Sequence, residues 1–315
     1  MRFSIYQESK KGSRKSNQDR MGYCFTRQAL LMVLADGMGG HLQGDIAAQI
    51  AVQTIGSDFQ RAAKPRLKSP LYFLEESLLA AHRQIHHYRL INQLPEAPRT
   101  TIVACVVQNG VAYWAHAGDS RLYWLRNGAI LAQTRDHSAL QTLIDQGGAS
   151  RADLENHPDR NQIFNCLGSP SMPTIERSRK TPLKPGDTIF LCSDGLWSAV
   201  SEQTISETFA GSTVMRAVPD LIYLALLQAS DQADNVTGLA MTWESADFSD
   251  DPSSVSTLQL PPGAITTTIH STRRPALDLD QETLSEDEIE QAIEEIRASI
   301  SRSSAAKNKV RAHKA

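Results

Sequence analysis

Two Asn-Gly pairs restrict this chain more than any other feature. In "TIVACVVQNGVAYWAHAG" the pair Asn109-Gly110 separates two runs of β-branched and aromatic residues, and in "RLYWLRNGAILAQ" Asn127-Gly128 does the same. A two-residue loop of this kind forms a type I′ turn, whose twist matches the strands it joins. Consecutive hairpins build antiparallel sheet, whereas parallel strands need a long crossover between them. The expected class is therefore α+β.

Helical periods surround these strands. Residues 45–59 carry Ile46, Ile50, Ala51 and Ile55 on one face, and residues 71–92 continue with Leu74, Leu78, Ala81 and Ile85. Both read as helices covering a sheet. A third helix is expected from Ser138 to Gly147-Gly148, a fourth from Ser201, and "VMRAVPDLIYLALLQAS" reads as a buried helix interrupted near Pro219. The last strand, "VTGLAMTW", ends the ordered part near Trp243.

Carboxylates recur at the ends of the predicted strands. The apolar run Ala29 to Ala35 stops at Asp36, followed by Gly37, Gly39 and Gly40; "TIFLCSDG" repeats the pattern at Asp194-Gly195. Asp119 follows the strand Val111 to Ala117, and Asp234 precedes the final strand. A single Asp-Gly reads as a self-capped turn. Four aspartates at strand ends, without accompanying His or Cys clusters, suit hard divalent cations such as Mg²⁺ or Mn²⁺, with two ions sharing a bridging carboxylate. Near the N-terminus "GSRKSNQD" supplies Arg14, shaped for a bidentate grip on phosphate, five residues before Asp19.

Composition removes several alternatives. A net charge of −3 leaves no broad basic surface for a nucleic-acid backbone, which argues against a two-metal nuclease. The N-terminus lacks an apolar signal core, and no run of eighteen apolar residues occurs, so a cytoplasmic protein with no membrane span is expected. Cys24, Cys105, Cys166 and Cys192 are far apart, with no C-x-x-C pair, and read as reduced cysteines.

In order, "GSRKSNQD", "LADGMGGH", "RTTIVACVV", "AGDSRLY", "RDHS", "HPDRNQIFNCLG", "CSDGLW" and "ADNVTGLAM" resemble the motifs of the metal-dependent PP2C (PPM) protein serine/threonine phosphatases, in their bacterial branch, over about residues 3–243. The resemblance implies an α/β/β/α sandwich: two antiparallel sheets flanked by helices, with the metals at one end. Carried over by motif, Asp36 bridges two Mn²⁺ or Mg²⁺ ions, Gly37 offers its carbonyl to one, and Asp194 and Asp234 complete the other. Asp119, with Asp194, matches a third, weaker metal position. Arg14 matches the phosphate-binding arginine, and Asp19 an acid that orients a metal-held water. The implied reaction is direct attack of a metal-bridged water on phosphoserine or phosphothreonine, opposing a bacterial Ser/Thr kinase.

The chain departs from the family at three positions. Met38 stands where "DGHGG" members have a histidine, Gln18 where many have glutamate, and Arg99 where glycine is usual. His41, His137 and His157 are read as structural, and Gly147 to Gly168 matches the family's flap beside the site. A phosphoprotein-binding pseudophosphatase is the alternative function, and retention of Asp36, Asp194, Asp234 and Arg14 argues against it.

The expected organisation is a catalytic domain over 1–245, a flexible linker over 246–281, an amphipathic helix over 282–302 and a basic tail over 303–315. The helix carries Ile289, Ile293, Ile296 and Ile300 at helical spacing, and Lys307, Lys309, Arg311 and Lys314 follow. That stripe is expected to dock a partner or the catalytic domain itself. The remaining partners expected are phosphorylated proteins, and the chain is expected to be a monomer.

Overall fold

The computed structural model describes residues 1–38, 43–147 and 162–245. Expectations on Gly39, Gly40 and His41, on residues 148–161 including His157, and on the segments 246–281, 282–302 and 303–315 lie outside the described residues.

The chain begins with β1 (Arg2–Lys10), β2 (Asp19–Phe25), β3 (Ala29–Asp36), α1 (Gly44–Ala62), α2 (Pro70–Ile91), β4 (Ile102–Gln108), β5 (Val111–Ala117), β6 (Arg121–Arg126) and β7 (Ala129–Gln133). It continues with α3 (Ala139–Asp145), β8 (Glu176–Arg177), β9 (Thr181–Pro182), β10 (Thr188–Cys192), α4 (Asp194–Trp197), α5 (Glu202–Ala210), α6 (Val214–Ala229) and β11 (Val236–Ser245).

Both Asn-Gly pairs make the expected turns. Asn109 and Gly110 take φ of 55° and 71°, and Asn127 and Gly128 take 49° and 77°, joining β4 to β5 and β6 to β7. The strands form two antiparallel sheets, one ordered β1-β11-β10-β6-β7 and the other β2-β3-β4-β5-β8, with β9 also on β5.

Alternation along the strands sorts the core into layers. From β3, Leu30, Met32 and Leu34 join Val103, Leu122, Leu191, Leu239 and Met241 between the sheets. Leu31, Val33 and Ala35 face the other way, against Ala48, Ile55, Leu74 and Leu78 of α1 and α2. A strand buried on both faces reads as the unbroken apolar run seen in the sequence. Opposite, Tyr123, Phe190 and Ala240 pack under Ile205 of α5 and Val218, Leu221 and Ile222 of α6. The sandwich is thus helix, sheet, sheet, helix.

One expectation is corrected. α6 runs unbroken through Pro219. The proline lies in the second turn, so the carbonyl it leaves unserved is that of Met215, a well-exposed residue where water can take over the hydrogen bond. Burial of Val214, Ala217, Val218, Leu221, Ile222 and Ala225 along one face then holds the helix together. The helices α3 and α5 start where Ser138 and Ser201 accept hydrogen bonds from Gln141 N–H and Thr204 N–H. Among the described residues no helix is long and apolar enough to cross a membrane.

Candidate metal centre

The site opens at one end of the sandwich, where strands from both sheets finish. Asp19, first in β2, pairs directly with Asp36, last in β3, so both side chains lie on the face between the sheets. Asp194 follows β10 as the first residue of α4, Asp234 precedes β11, and Asp119 occupies the turn between β5 and β6. Arg14 sits in the loop between β1 and β2. A cavity of about 510 Å³ is lined by Arg14, Asp36, Gly37, Asp119, Asp194 and Asp234, and by Lys15, Gln18, Met38, Thr101, Ile163 and Asn235 among others. Every sequence-predicted metal ligand therefore reaches one cavity, and Asp19 stands directly behind Asp36.

Two glycines make this crowding feasible. A Cβ on Gly37 would lie 2.3 Å from the Gly44 carbonyl oxygen, and one on Gly195 would lie 2.2 Å from that of Asn235. The turn after β3 thus presses against the start of α1, and the loops bearing Asp194 and Asp234 press together.

Charge is the main stress. Burial, then the carboxylates of Asp19, Asp194 and Asp119, push Asp36 well above the usual carboxylate range. Burial and then Asp194 do the same to Asp119, while burial followed by Asp234 and Asp19 pushes Asp194 up to about 6. Asp19 is raised by burial against two hydrogen bonds to one of its oxygens, from Ser193 Oγ at 2.8 Å and Thr237 Oγ1 at 2.5 Å. Its other oxygen, Oδ1, is buried with no partner, and so is Oδ1 of Asp119.

Buried anions without partners are costly, by several kcal/mol each, unless protons or cations neutralise them. Orphaned carboxylate oxygens in an all-oxygen cluster, with no thiol or imidazole on the cavity wall among the described residues, are the donor set of Mg²⁺ or Mn²⁺. The residues therefore fit the expected ions.

Arg14 is engaged. Its Nη2 donates to Asp234 Oδ2 at 2.6 Å, with the guanidinium more than half exposed at the rim. Nothing in the sequence signalled that pair. Also unsignalled were the residues that hold the acids: Ser193 and Thr237 on Asp19, and Trp197, whose Nε1–H donates to the Asp119 carbonyl at 2.9 Å. Asn235 clasps the arginine loop, donating Nδ2–H to the carbonyls of Lys11 at 2.8 Å and Ser16 at 3.0 Å and accepting the Gln18 N–H at 2.7 Å. Its place beside Asp234 in "ADN" was the one available hint. Met38 donates its N–H to the carbonyl of Arg99 at 3.0 Å, which ties the glycine turn to the start of β4.

Comparison with known proteins agrees with this fold. The family profile described as Protein phosphatase 2C matches residues 7–220. The serine/threonine phosphatase stp of Listeria monocytogenes serotype 4b is 28% identical over 210 residues, 66% of this chain and 82% of that protein. The crystal structure of the Mycobacterium tuberculosis serine/threonine phosphatase PstP/Ppp superimposes with a TM-score of 0.67 at 31% identity, covering 77% of this chain and 99% of that one. A structure of the PstP catalytic domain in complex with two manganese ions gives a TM-score of 0.64 at 29% identity, with the same coverage. With its sandwich, its carboxylate cavity and these likenesses, the chain belongs to the protein phosphatase 2C family of serine/threonine phosphatases.

Proposed function

We propose that this cavity hydrolyses phosphoserine and phosphothreonine esters with the aspartate cluster holding divalent cations, and that the chain opposes a Ser/Thr kinase. The observation that carries the reading is the convergence of five aspartates with the Arg14 guanidinium at the rim. Asp36, Asp194, Asp234 and the Gly37 carbonyl would hold two Mn²⁺ or Mg²⁺ ions, and Asp119 with Asp194 a third. When bound, such ions neutralise the carboxylates and supply a water of lowered pKa for attack on phosphorus.

The chain's own residues bind and orient. Arg14 turns its guanidinium from Asp234 toward the phosphate oxygens and stabilises the charge that grows on them. Asp19, with one oxygen fixed by Ser193 and Thr237, aims its free Oδ1 as an acceptor that orients the attacking water. As the phosphorus–oxygen ester bond breaks, the departing serine or threonine oxygen takes a proton from solvent, because Met38 at the cavity wall has none to give. Four free, buried cysteines suit a reducing, cytoplasmic setting. The partners are phosphorylated proteins, with the segment 282–302 as a second contact outside the catalytic domain of residues 1–245.

The direct test is release of phosphate from a phosphothreonine peptide with Mn²⁺ and with EDTA. Turnover should require the metal and vanish in Asp36→Asn. Tight peptide binding without turnover in Mn²⁺ would favour the pseudophosphatase instead.

A further inference from the structure

Beside the cavity, His116, His137 and Glu176 bring one ligand atom each to within 4.8 Å of one another, with the imidazoles stacked at 4.7 Å. The grouping looks like a His₂Glu metal site. The hydrogen bonds decide otherwise. Asn165 Oδ1 accepts the Thr174 N–H at 3.0 Å while its Nδ2 donates to the Thr174 carbonyl at 2.8 Å, which fixes the amide's orientation. That same Nδ2 points at His137 Nδ1 at 2.6 Å, and the Gly118 N–H points there at 3.2 Å. A nitrogen facing two donors carries the lone pair, so the neutral ring bears its proton on Nε2, opposite Glu176 Oε2 at 3.3 Å. His137 has no second lone pair to offer a metal.

We infer instead that His137 is a positioning residue for the phosphatase reaction, fastening two walls of the cavity together. One wall is the turn carrying Asp119. His137 takes both backbone groups of the preceding residue, accepting the Gly118 N–H at Nδ1 and donating its own N–H to the Gly118 carbonyl at 3.0 Å. The other wall is residues 162–165, whose Ile163 lines the cavity. The backbone carbonyl of His137 accepts the Phe164 N–H at 3.1 Å, its Nδ1 accepts the Asn165 amide, and its neighbour Ser138 bridges to Ile163. Glu176, half-exposed, keeps the ring in the required tautomer. The imidazole thus joins Gly118, next to Asp119, to Asn165, two residues from Ile163, and its loss should loosen both walls at once. The inference rests on Asp119 serving the cation centre.

The test uses the full chain with phosphothreonine peptide and titrated Mn²⁺. His137→Ala should lower kcat about tenfold or more, raise the half-activating Mn²⁺ concentration about threefold or more, and leave peptide KM within about twofold, because Arg14 is held by a different loop. His137→Asn, whose Oδ1 takes the place of Nδ1, should recover most of the loss. In an Asp119→Ala background, His137→Ala should cost less than about twofold more. Nitrogen NMR of the wild-type histidines should show His137 protonated at Nε2 alone. The inference is overturned by an Nδ1 proton, by equally impaired Ala and Asn variants that melt like wild type, by full additivity with Asp119→Ala, or by a lowered Tm with kcat and Mn²⁺ response unchanged. Should Asp119→Ala leave Mn²⁺ activation untouched, the metal role of Asp119 fails on that result alone, while the tautomer still reports on His137 separately.

Discussion

Replacing Asp36 by asparagine should have opposite effects on stability with and without metal. Asp36 lies directly across the β2–β3 pair from Asp19, so their Cβ atoms stand roughly 5 Å apart. Two full charges at that separation repel by about 3 kcal/mol at an effective dielectric constant near 20. Uptake of a proton by the raised Asp36 already relieves part of this. Asparagine keeps the shape and removes the charge, for a net gain of about 1–2 kcal/mol in EDTA. In a domain of this size that gain raises Tm by about 2–8 °C. In saturating Mn²⁺ the order reverses. Wild type gains about 2.7 kcal/mol at a hundred times the dissociation constant, and the variant forfeits most of that gain along with its activity. Thermal melts of both proteins in EDTA and in Mn²⁺, followed by circular dichroism, supply the four numbers required. The reasoning fails if Asp36→Asn melts below wild type in EDTA, since Asp36 would then be a stabilising hydrogen-bond partner, or if Mn²⁺ stabilises both proteins equally.

Three further outcomes are expected. Arg14→Ala should raise KM for a phosphopeptide about tenfold with a smaller fall in kcat, and added salt should not rescue it; an unchanged KM would place phosphate binding elsewhere. Asp194, pushed up to about 6 by burial and then Asp234 and Asp19, binds its proton more tightly folded than unfolded. Its contribution is fully present below its unfolded value of about 3.8 and is lost as pH rises through 6, so the metal-free protein should lose up to about 3 kcal/mol on this account between pH 4 and 7. Melts in EDTA should show that slope flattened in Asp194→Asn, and parallel slopes would refute it. Deleting residues 246–315 should leave hydrolysis of small phosphate esters intact while weakening dephosphorylation of the physiological phosphoprotein; equal rates on that protein would make the tail passive.

Local chemistry explains which features could be read from sequence. The Asn-Gly turns, the Ser138 and Ser201 caps and the twice-buried β3 each rest on a few adjacent residues, so they were legible. Helices expected over 45–59 and 71–92 appear as Gly44–Ala62 and Pro70–Ile91. Pro219 misled because the burial that overrides it comes from strands far along the chain. Asp36, Asp119, Asp194 and Asp234 could be singled out because each sits at a strand end, and that recurrence already pointed to one shared cation site, while the family resemblance supplied the role of each. The partners of Asp19 could not be read at all. Ser193 and Thr237 come from the opposite sheet, and a hydroxyl at a strand end carries no sequence signature. The same holds for Arg14 and Asp234, 220 residues apart.

The pairing of Asp19 with Asp36 has a consequence for how the protein matures. Neighbouring side chains along a strand point to opposite faces, so sliding β2 by one residue against β3 would turn Asp19 away from Ser193 and Thr237 and toward α1. A misaligned hairpin cannot gather the carboxylates. Cation uptake by these aspartates would therefore favour the correctly aligned chain over its misaligned competitors, so the ions proposed for the reaction would also act as an inspection step during folding.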